Sequence, residues 1–278
     1  CFDRREGFGP GCVLRERGGA NREPLLDPSG CRVGSVRRRE ARSKLLEFFL
    51  VGGCLAGGDV LQQRAQDRIR EKAFLVDAGL PVGPYAVVDS ADANPAIRYP
   101  AILKTARMGY DGKGQRNVAD ASEMRAAWRL LGSVPCVLEQ ALALDTEVSA
   151  GVARTATGGF AAYPIVENTH VGGILDLTVV PAHVSPRLAD RAAGLALAIA
   201  DALDYVGVLA VELFVVAGEL YVNELAPRPH NSGHWTLDVA QTSQFEQQIR
   251  AVCGLALGDT GMTRPAAAMV NLLGDRWD

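Results

Sequence analysis

Apolar residues recur every three or four positions in two parts of the chain, a spacing that predicts amphipathic helices. The first helix is expected near residues 62–78, where the apolar positions are Ile69, Ala73 and Val76, and Gly79 can end it. The second has an apolar face formed by Leu188, Ala192, Leu195, Ile199 and Leu203. A third helix is expected between them, because Asp120 and Glu123 resemble a capping box and Gly132 can end the helix.

Shorter apolar segments separate these helices and have the length of strands. They cover residues 84–88, 99–104, 137–140, 147–153 and 159–167. Residues 208–216 and 219–225 predict a hairpin, because Ala217 and Gly218 can form a turn between two apolar runs. The mixture of hairpins and flanking helices favours an α+β fold over a doubly wound parallel sheet.

Residues 1–60 follow neither pattern. They hold ten arginines and Lys44 between positions 4 and 44, amid Gly, Pro and Ser. A basic arm for phosphates or nucleic acid is one interpretation; a poorly specified, disordered or wrongly translated segment is the one that we favour. The expected organisation is an atypical segment at 1–60, a main domain at 61–260 and the start of a further domain at 261–278.

The overall composition is that of an ordinary globular protein, with 48% hydrophobic and 22% charged residues and a net charge of -3. This balance gives no overall basic field, so we expect no nucleic-acid partner. The longest apolar run, residues 50–56, is too short to span a membrane, so no membrane partner is expected. The six cysteines form no Cys-x-x-Cys pair, which favours a reducing, cytoplasmic compartment over a disulfide framework.

Two acidic residues of the predicted hairpin are candidate metal ligands. A three-residue loop would place Glu212 opposite Glu224, whereas a two-residue loop would place it opposite Asn223. Opposed carboxylates destabilise a sheet unless a positive charge lies between them, and this oxygen-rich set suits Mg²⁺ bridged to phosphates. A solvated outer face is the alternative, but the apolar neighbours of Glu212 favour the metal site.

A glycine-rich loop follows the strand that ends at Lys104. Its residues are Gly109, Tyr110, Asp111, Gly112, Lys113, Gly114 and Gln115. Backbone N–H groups of such a loop can approach an anion closely, and the two lysines add positive charge. The string is not a Walker loop, and a simple tight turn uses the same residues. Its place ahead of the paired acids favours phosphate binding.

The end of the strand predicted at 137–140 offers a weaker signal. Glu139, Gln140, Ala141 and Leu142 lie shortly before Glu147. Their backbone groups and the carboxylate could hold a purine base and its ribose hydroxyls. A plain strand end is the simpler interpretation.

The loop after Glu224 gathers polar side chains within a few positions. They are Arg228, His230, Asn231, Ser232 and His234. The two histidines have a spacing that zinc sites use on helices, but no cysteine lies near them and Pro229 argues against a helix there. We favour a loop that binds an anion or a polar substrate.

Together these motifs resemble the N5-carboxyaminoimidazole ribonucleotide synthases, which are ATP-grasp carboxylate–amine ligases. The matching segments, in the family's order, are 66–72, Lys104, 109–115, 139–140, Glu147, 167–170, Glu212 and 223–235. The last segment, Asn-Glu-Leu-Ala-Pro-Arg-Pro-His-Asn-Ser-Gly-His-Trp, is the most specific. The resemblance implies an ATP-grasp fold, in which two α+β subdomains clasp ATP.

The resemblance also implies roles for individual residues. The residues implied to contact ATP are Arg68, Lys104, Glu139, Gln140, Ala141, Leu142, Glu147, His170, Asn223 and Glu224. Residues 109–115 would close over its phosphates, and Glu212 and Glu224 would hold Mg²⁺. The catalytic residues implied to face bicarbonate and the ribonucleotide are Arg228, His230 and Asn231, with Tyr110, Asp111 and Arg154 near the same substrate.

The implied reaction joins bicarbonate to 5-aminoimidazole ribonucleotide at the expense of ATP, by way of carboxyphosphate, in purine biosynthesis. A homodimer is implied as well. In such a reaction the protein acts chiefly by positioning groups and neutralising charge.

The sequence departs from the family at both ends. The family's glycine-rich opening domain does not occur in residues 1–60, its C-terminal basic stretch does not occur before Asp278, and the chain begins with Cys1. We therefore expect a fragment. Two alternatives stay open: another ATP-grasp ligase, such as a formate-using glycinamide ribonucleotide transformylase or a biotin carboxylase-like subunit, and a nucleotide-binding module without turnover. The string at 231–235 argues against the first, and ATP binding without product would identify the second.

Overall fold

The computed structural model describes residues 67–90, 92–107 and 114–272, and the fold is described for these ranges. Their helices are α1 (Arg68–Asp77), α2 (Ala121–Leu130), α3 (Pro186–Ala202), α4 (Thr236–Val239) and α5 (Gln244–Val252). Their strands are β1 (Tyr85–Val88), β2 (Ala101–Thr105), β3 (Gln115–Val118), β4 (Cys136–Gln140), β5 (Thr146–Arg154), β6 (Phe160–Ala162), β7 (Val166–Val171), β8 (Ile174–Val180), β9 (Gly207–Val216), β10 (Glu219–Ala226) and β11 (Ala267–Val270). The three long predicted helices are confirmed, while the predicted start of the first, near 62, lies outside the described residues.

Side-chain caps explain where two of these helices begin. The Asp67 carboxylate accepts hydrogen bonds from two backbone N–H groups in the first turn of α1, and Asp120 does the same for α2. Both helices are followed by a glycine with positive φ, +69° at Gly79 and +90° at Gly132. These ends follow the usual capping chemistry, in which an acid accepts from the first N–H groups and a glycine turns the chain away.

The small sheet is antiparallel, with the strand order β1-β4-β2-β3. It packs against α2 through a core whose fully buried members include Val88, Leu103, Met124 and Leu138. These core residues come from one continuous stretch of chain, residues 88–138. The small sheet therefore closes a core of its own.

The large sheet has the strand order β10-β9-β5-β7-β8-β11, with β6 added to β5. Helix α3 covers it, and Ile199 packs with Val148, Leu209 and Leu213 of β5 and β9. β11, from the predicted segment 261–278, pairs antiparallel with β8. The boundaries predicted at 60 and 260 stay predictions, and residues 1–60 lie outside the described ranges.

The single strand predicted at 159–167 is wrong, because the structure contains two strands there. β6 ends at Ala162 and β7 begins at Val166. Pro164 lies between them, and proline has no N–H group to give to a ladder. The neighbouring Tyr163 instead meets the ring of Trp235 edge to face, with the ring centres 6.2 Å apart.

The predicted hairpin is confirmed. It has the two-residue turn of one predicted alternative and the Glu212–Glu224 pairing of the other. Ala217 and Gly218 have φ of +50° and +75° and form a two-residue turn, as type I′ turns do. Glu224 nevertheless lies opposite Glu212, because the ladder shifts by one residue between Val222 and Glu224. A β-bulge at Asn223 therefore produces the pairing that was expected from a longer loop.

Within the described ranges, no helix is both long and apolar enough to cross a membrane.

Candidate functional site

A cavity of about 330 Å³ lies between the two sheets, within the size range of small-molecule sites. Its charged and polar lining consists of Arg68, Lys104, Gln115, Glu147, His170, Glu212, Asn223, Glu224, Arg228, His230 and Asn231. Ile102, Leu175 and Phe214 are among its apolar lining residues. One cavity thus brings together side chains from α1, both sheets and the loop after β10.

The carboxylate pair of the hairpin lies in this cavity. The Glu212 side chain is 18% exposed, and that of Glu224 is 47% exposed. The Asn223 amide donates to Glu212 Oε2 over 3.2 Å. Burial, reinforced by the charge of Glu224, raises the pKa of Glu212 to about 7. The negative charge of this pair is therefore incompletely compensated by the protein.

His230 lies beside the pair as a neutral ring. Burial, aided by the charge of Arg228, lowers the pKa of His230 to about 4. The Ser232 N–H donates to His230 Nδ1 over 3.3 Å, so the proton of the neutral ring is on Nε2. That atom lies 3.3 Å from Glu212 Oε1. His230 therefore offers an N–H group, and no charge, to the buried carboxylate at neutral pH.

The loop that carries His230 is held by Gln244. The His230 N–H donates to Gln244 Oε1 over 2.9 Å, and Gln244 Nε2 donates to the His230 carbonyl over 2.8 Å. His234, by contrast, stacks on Phe245 with ring centres 6.0 Å apart. The two histidines thus have different partners.

Lysines and a glutamate form the cationic side of the site. Lys104 Nζ lies 2.7 Å from one oxygen of Glu139, and Lys72 Nζ lies 3.4 Å from the other. Burial alone would raise the pKa of Glu139, but the charges and hydrogen bonds of the two lysines outweigh it and hold the pKa below its usual value. The Glu139 carboxylate is therefore ionised between two ammonium groups.

Arg68 connects the metal-ligand candidates to the small sheet. Its Nη2 lies 3.2 Å from Glu224 Oε2, and its Nη1 donates to the Thr105 carbonyl over 3.4 Å. The guanidinium at the start of α1 thus partly compensates the charge of Glu224.

Glu147 and His170 face each other on β5 and β7, with 2.8 Å between Oε2 and Nδ1. The Glu147 carboxylate raises the pKa of His170, against the opposing effect of burial. This pair adds a polar patch next to the apolar lining.

The residues around Asn223 fit a hard divalent cation. Asn223 Oδ1 is buried and has no hydrogen-bond partner among the described residues. It belongs to the same cavity as Glu212 and Glu224, and such carboxylate and amide oxygens are ligands of Mg²⁺. The described ranges hold no metal-binding group of three or more His, Cys, Asp and Glu side chains. Substrate phosphates would have to complete the coordination, as they do for Mg²⁺ in many nucleotide sites.

Comparison with known proteins assigns this arrangement to a family. The family described as the ATP-grasp domain matches residues 73–245. The chain belongs to the ATP-grasp family. The predicted α+β, ATP-grasp fold is thereby confirmed.

The relatives of this ATP-grasp chain bear the name of the predicted family. It is 47% identical over 226 residues to the N5-carboxyaminoimidazole ribonucleotide synthase of Bacillus subtilis strain 168, an alignment that covers 80% of this chain and 59% of that protein. The crystal structure of the ADP complex of purK, an N5-carboxyaminoimidazole ribonucleotide synthetase, is similar with a TM-score of 0.73 and 43% identity, over 77% of this chain and 58% of that one.

A third relative is a complex with two ligands. The crystal structure of N5-carboxyaminoimidazole synthase from Aspergillus clavatus contains ADP and 5-aminoimidazole ribonucleotide, and matches with a TM-score of 0.69 and 26% identity, over 76% of this chain and 57% of that one. The resemblance to the N5-carboxyaminoimidazole ribonucleotide synthases is confirmed. The chain spans less than two thirds of the length of these relatives.

Most of the predicted site residues lie together in this ATP-grasp cavity, although their individual roles stay predictions. Glu139 contacts Lys104. The cavity lining, as far as the described ranges show it, does not include the next three residues, Gln140, Ala141 and Leu142. Gly114 accepts a hydrogen bond from the Thr105 N–H over 2.8 Å. The described ranges do not include the other predicted loop residues, which are Gly109, Tyr110, Asp111, Gly112 and Lys113.

The structure places Arg154 away from the predicted substrate residues. Its Nη2 lies 2.7 Å from Asp204 Oδ1, and its Nη1 donates to the Tyr205 carbonyl over 3.1 Å. Among the described residues, the cavity lining does not include it.

Sequence reasoning missed three residues at this site. Glu71 and Lys72 are buried although both side chains are ionisable, and they follow Arg68 at helical spacing, which is a signal that the sequence does contain. Gln244 gives no such signal, because its partner His230 is 14 residues away and the contact exists only in the folded chain.

Proposed function

We propose that this chain carries the nucleotide-binding core of an N5-carboxyaminoimidazole ribonucleotide synthase, which uses Mg²⁺ and ATP to join bicarbonate to 5-aminoimidazole ribonucleotide. The observation that supports it most is the Glu212–Glu224 pair beside Asn223 Oδ1, a buried amide oxygen with no hydrogen-bond partner among the described residues, in a cavity that Arg68 and Lys104 also line. The names of the relatives supply the substrate class.

ATP fits this cavity by chemistry. Arg68 and Lys104 offer positive charge for the phosphates, and the apolar side chains of Ile102, Leu175 and Phe214 suit a purine base. Glu147 offers carboxylate oxygens to ribose hydroxyls. The loop at 109–115 is proposed, by resemblance, to close over the phosphates.

Glu212, Glu224 and Asn223 are proposed to hold the metal. When bound, Mg²⁺ neutralises charge on the terminal phosphates and so favours their transfer. The neutral His230 donates to Glu212 and leaves the negative charge of the pair in place for the cation.

The proposed reaction has two steps. An oxygen of bicarbonate attacks the γ-phosphorus, the bond to the β–γ bridging oxygen breaks, and ADP leaves with that electron pair. The amine nitrogen of the ribonucleotide then bonds to the carbonyl carbon of carboxyphosphate, the bond from that carbon to the phosphate oxygen breaks, and the departing phosphate takes the electron pair and the proton that the amine gives up. Arg228 and Asn231 line the cavity with N–H donors that can orient the bicarbonate. A homodimer is part of the proposal by resemblance, and a cytoplasmic compartment is part of it from the cysteine pattern of the sequence.

Isotope transfer tests this function. The purified chain is incubated with ATP, Mg²⁺, oxygen-18-labelled bicarbonate and 5-aminoimidazole ribonucleotide, and the released phosphate is analysed by mass spectrometry. We expect labelled phosphate, because the attacking oxygen stays with phosphorus when carboxyphosphate breaks down.

Calorimetric titration of ATP provides the matching control. ATP binding without labelled phosphate would identify a binding module instead of an enzyme. Phosphate release that requires formate and glycinamide ribonucleotide would identify a different ATP-grasp ligase, and a failure to bind ATP would contradict the whole proposal.

A further inference from the structure

The irregular point of the hairpin coincides with its candidate metal ligands. β10 pairs regularly with β9 from Glu219 to Val222, and the shift at Asn223 then brings Glu224 opposite Glu212. Continued regular pairing from the two-residue turn would place Asn223 there instead. The bulge therefore decides which side chain completes the carboxylate pair.

Lys72 of α1 contacts this bulge directly. Its Nζ donates to the Asn223 carbonyl over 3.0 Å and to the Val222 carbonyl over 3.4 Å. Glu139 Oε1 lies 3.4 Å from the same atom. An ammonium has three N–H bonds, so each has an acceptor. The side chain is 4% exposed, and a buried cation is tolerated only with such partners.

The neighbours of Lys72 on the same helix face contact β10 as well. Arg68 lies 3.2 Å from the Glu224 carboxylate, and Glu71 Oε2 accepts the Leu225 N–H over 3.4 Å. Residues three and four apart share one face of a helix. Helix α1 thus contacts the strand on both sides of the bulge, and Lys72 is the member that binds the bulge carbonyls.

We propose that Lys72 is a positioning residue that holds the Asn223 bulge and thereby sets the pairing of Glu212 with Glu224. The effect of Lys72 on Mg²⁺ binding rests on the proposed function, whereas the stability of the bulge can be measured by hydrogen exchange without nucleotide. Without the ammonium the bulge carbonyls lose their donor, and a slip of one residue would turn alternate side chains to the opposite face of the sheet. Glu224 would then leave the cavity.

Lys72→Met tests this role, because methionine keeps an unbranched apolar side chain and removes all three donors. The matched control is Leu75→Ala, which removes fully buried apolar packing from the same helix and leaves the Lys72 contacts intact. Hydrogen exchange of peptides spanning 219–226 is measured by mass spectrometry without nucleotide. ATP affinity is then measured by calorimetry across a range of Mg²⁺ concentrations.

For Lys72→Met we expect faster exchange across 219–226 and a rise of about ten- to a hundredfold in the Mg²⁺ concentration needed for tight ATP binding, the usual effect of losing a group that orients metal ligands. For Leu75→Ala we expect a lower melting temperature with an unchanged Mg²⁺ requirement. Should Lys72→Met not fold, Lys72→Gln replaces it; because its shorter, uncharged amide still carries two N–H donors, we expect smaller changes in the same two directions.

Three results would overturn the inference. The first two are unchanged exchange and an unchanged Mg²⁺ requirement in the Lys72 variant. The third is an equal rise in the Mg²⁺ requirement in Leu75→Ala, because Lys72 would then contribute only to the general stability of the fold. If the wild-type chain fails to bind ATP, the proposed function is wrong. The exchange at 219–226 then decides alone whether Lys72 holds the bulge.

Discussion

Glu224 is the more exposed carboxylate of the Glu212–Glu224 pair, and it faces both Arg68 and the cavity. Replacing it by glutamine removes one charge at nearly constant volume. We expect Glu224→Gln to lower Mg²⁺-dependent ATP turnover by on the order of a hundredfold or more, because charge at the phosphates is then stabilised less well. Steady-state phosphate release at several Mg²⁺ concentrations measures this effect.

Glu219→Gln is the matched control for that experiment. Glu219 lies on the same strand, but its side chain is 63% exposed and pairs with Arg191 at the hairpin turn. The control should keep wild-type turnover. Unchanged turnover in Glu224→Gln would mean that the metal site is wrong.

Glu71 gives a prediction about pH. Its carboxyl is buried, Oε1 has no hydrogen-bond partner among the described residues, and burial, reinforced by Glu224, raises its pKa to about 8 from 4.5. The folded chain therefore binds a proton that the unfolded chain releases above about pH 4.5. The contribution of Glu71 to the free energy of unfolding therefore falls as pH rises from about 4.5 to about 8.

We expect Glu71→Gln to flatten this dependence. As pH rises, the free energy of unfolding of the wild type should fall relative to that of the variant, with a slope of at most about 1.4 kcal/mol per pH unit. Urea denaturation at a series of pH values measures it. Parallel stability curves for the two proteins would show that Glu71 ionises normally.

Single residues also show where sequence reasoning stops. Glu212 and Glu224 were predicted as a possible pair from the loop of the hairpin and the apolar neighbours of Glu212, and the structure pairs them. The bulge that pairs them depends on Lys72, which is 150 residues away from Val222 in the chain. Contacts at such separations leave no local pattern, so the sequence predicted the carboxylate pair and missed the lysine that contacts its bulge.

At the scale of elements, the loop after β10 depends on close packing at Gly233. A Cβ atom there would overlap the side-chain amide of Gln244, the same amide that makes two hydrogen bonds to the backbone of His230. We expect Gly233→Ala to displace Gln244, lower the melting temperature and reduce turnover, since His230 loses its support. Thermal denaturation and phosphate release measure the two effects.

Gly194→Ala is the corresponding control. Gly194 lies on the exposed side of α3, and a Cβ there would meet nothing within 4 Å. Alanine should stabilise that helix by roughly 0.5–1 kcal/mol. A Gly233→Ala variant as stable and active as the wild type would show that the Gln244 contact is dispensable.

Elements were predicted well where the pattern was local. Capping residues and turn glycines indicated both ends of α2 and the turn between β9 and β10, because these features depend on neighbouring residues. The strand predicted at 159–167 was wrong because its apolar content outweighed the effect of Pro164. The strand order of the two sheets was not predicted, since it depends on pairings between distant segments.

At the scale of the whole molecule, the cavity joins two sheets, so a ligand that fills it should stabilise both. We expect ATP with Mg²⁺ to raise the melting temperature, because a ligand that binds only the folded state stabilises it by RT ln(1 + [L]/Kd), about 2.7 kcal/mol at a hundredfold excess over Kd. Removal of Mg²⁺ with EDTA should abolish most of the shift. Differential scanning fluorimetry measures it.

The same measurement on Glu224→Gln separates the metal from the nucleotide. The variant should show a small shift with ATP that Mg²⁺ does not increase. An equal shift with and without Mg²⁺ in the wild type would indicate that ATP binds without the carboxylate pair.

The separate core of the small sheet has a consequence for protein engineering. That core is assembled from the continuous stretch 88–138, and polar contacts to the rest of the site include Lys72 with Glu139 and Arg68 with the Thr105 carbonyl. A stretch that completes its own packing can be transplanted as a cassette. Chimeras between ATP-grasp chains could therefore exchange the wall that carries Lys104, while the sheet that carries Glu212 and Glu224 is left as it is.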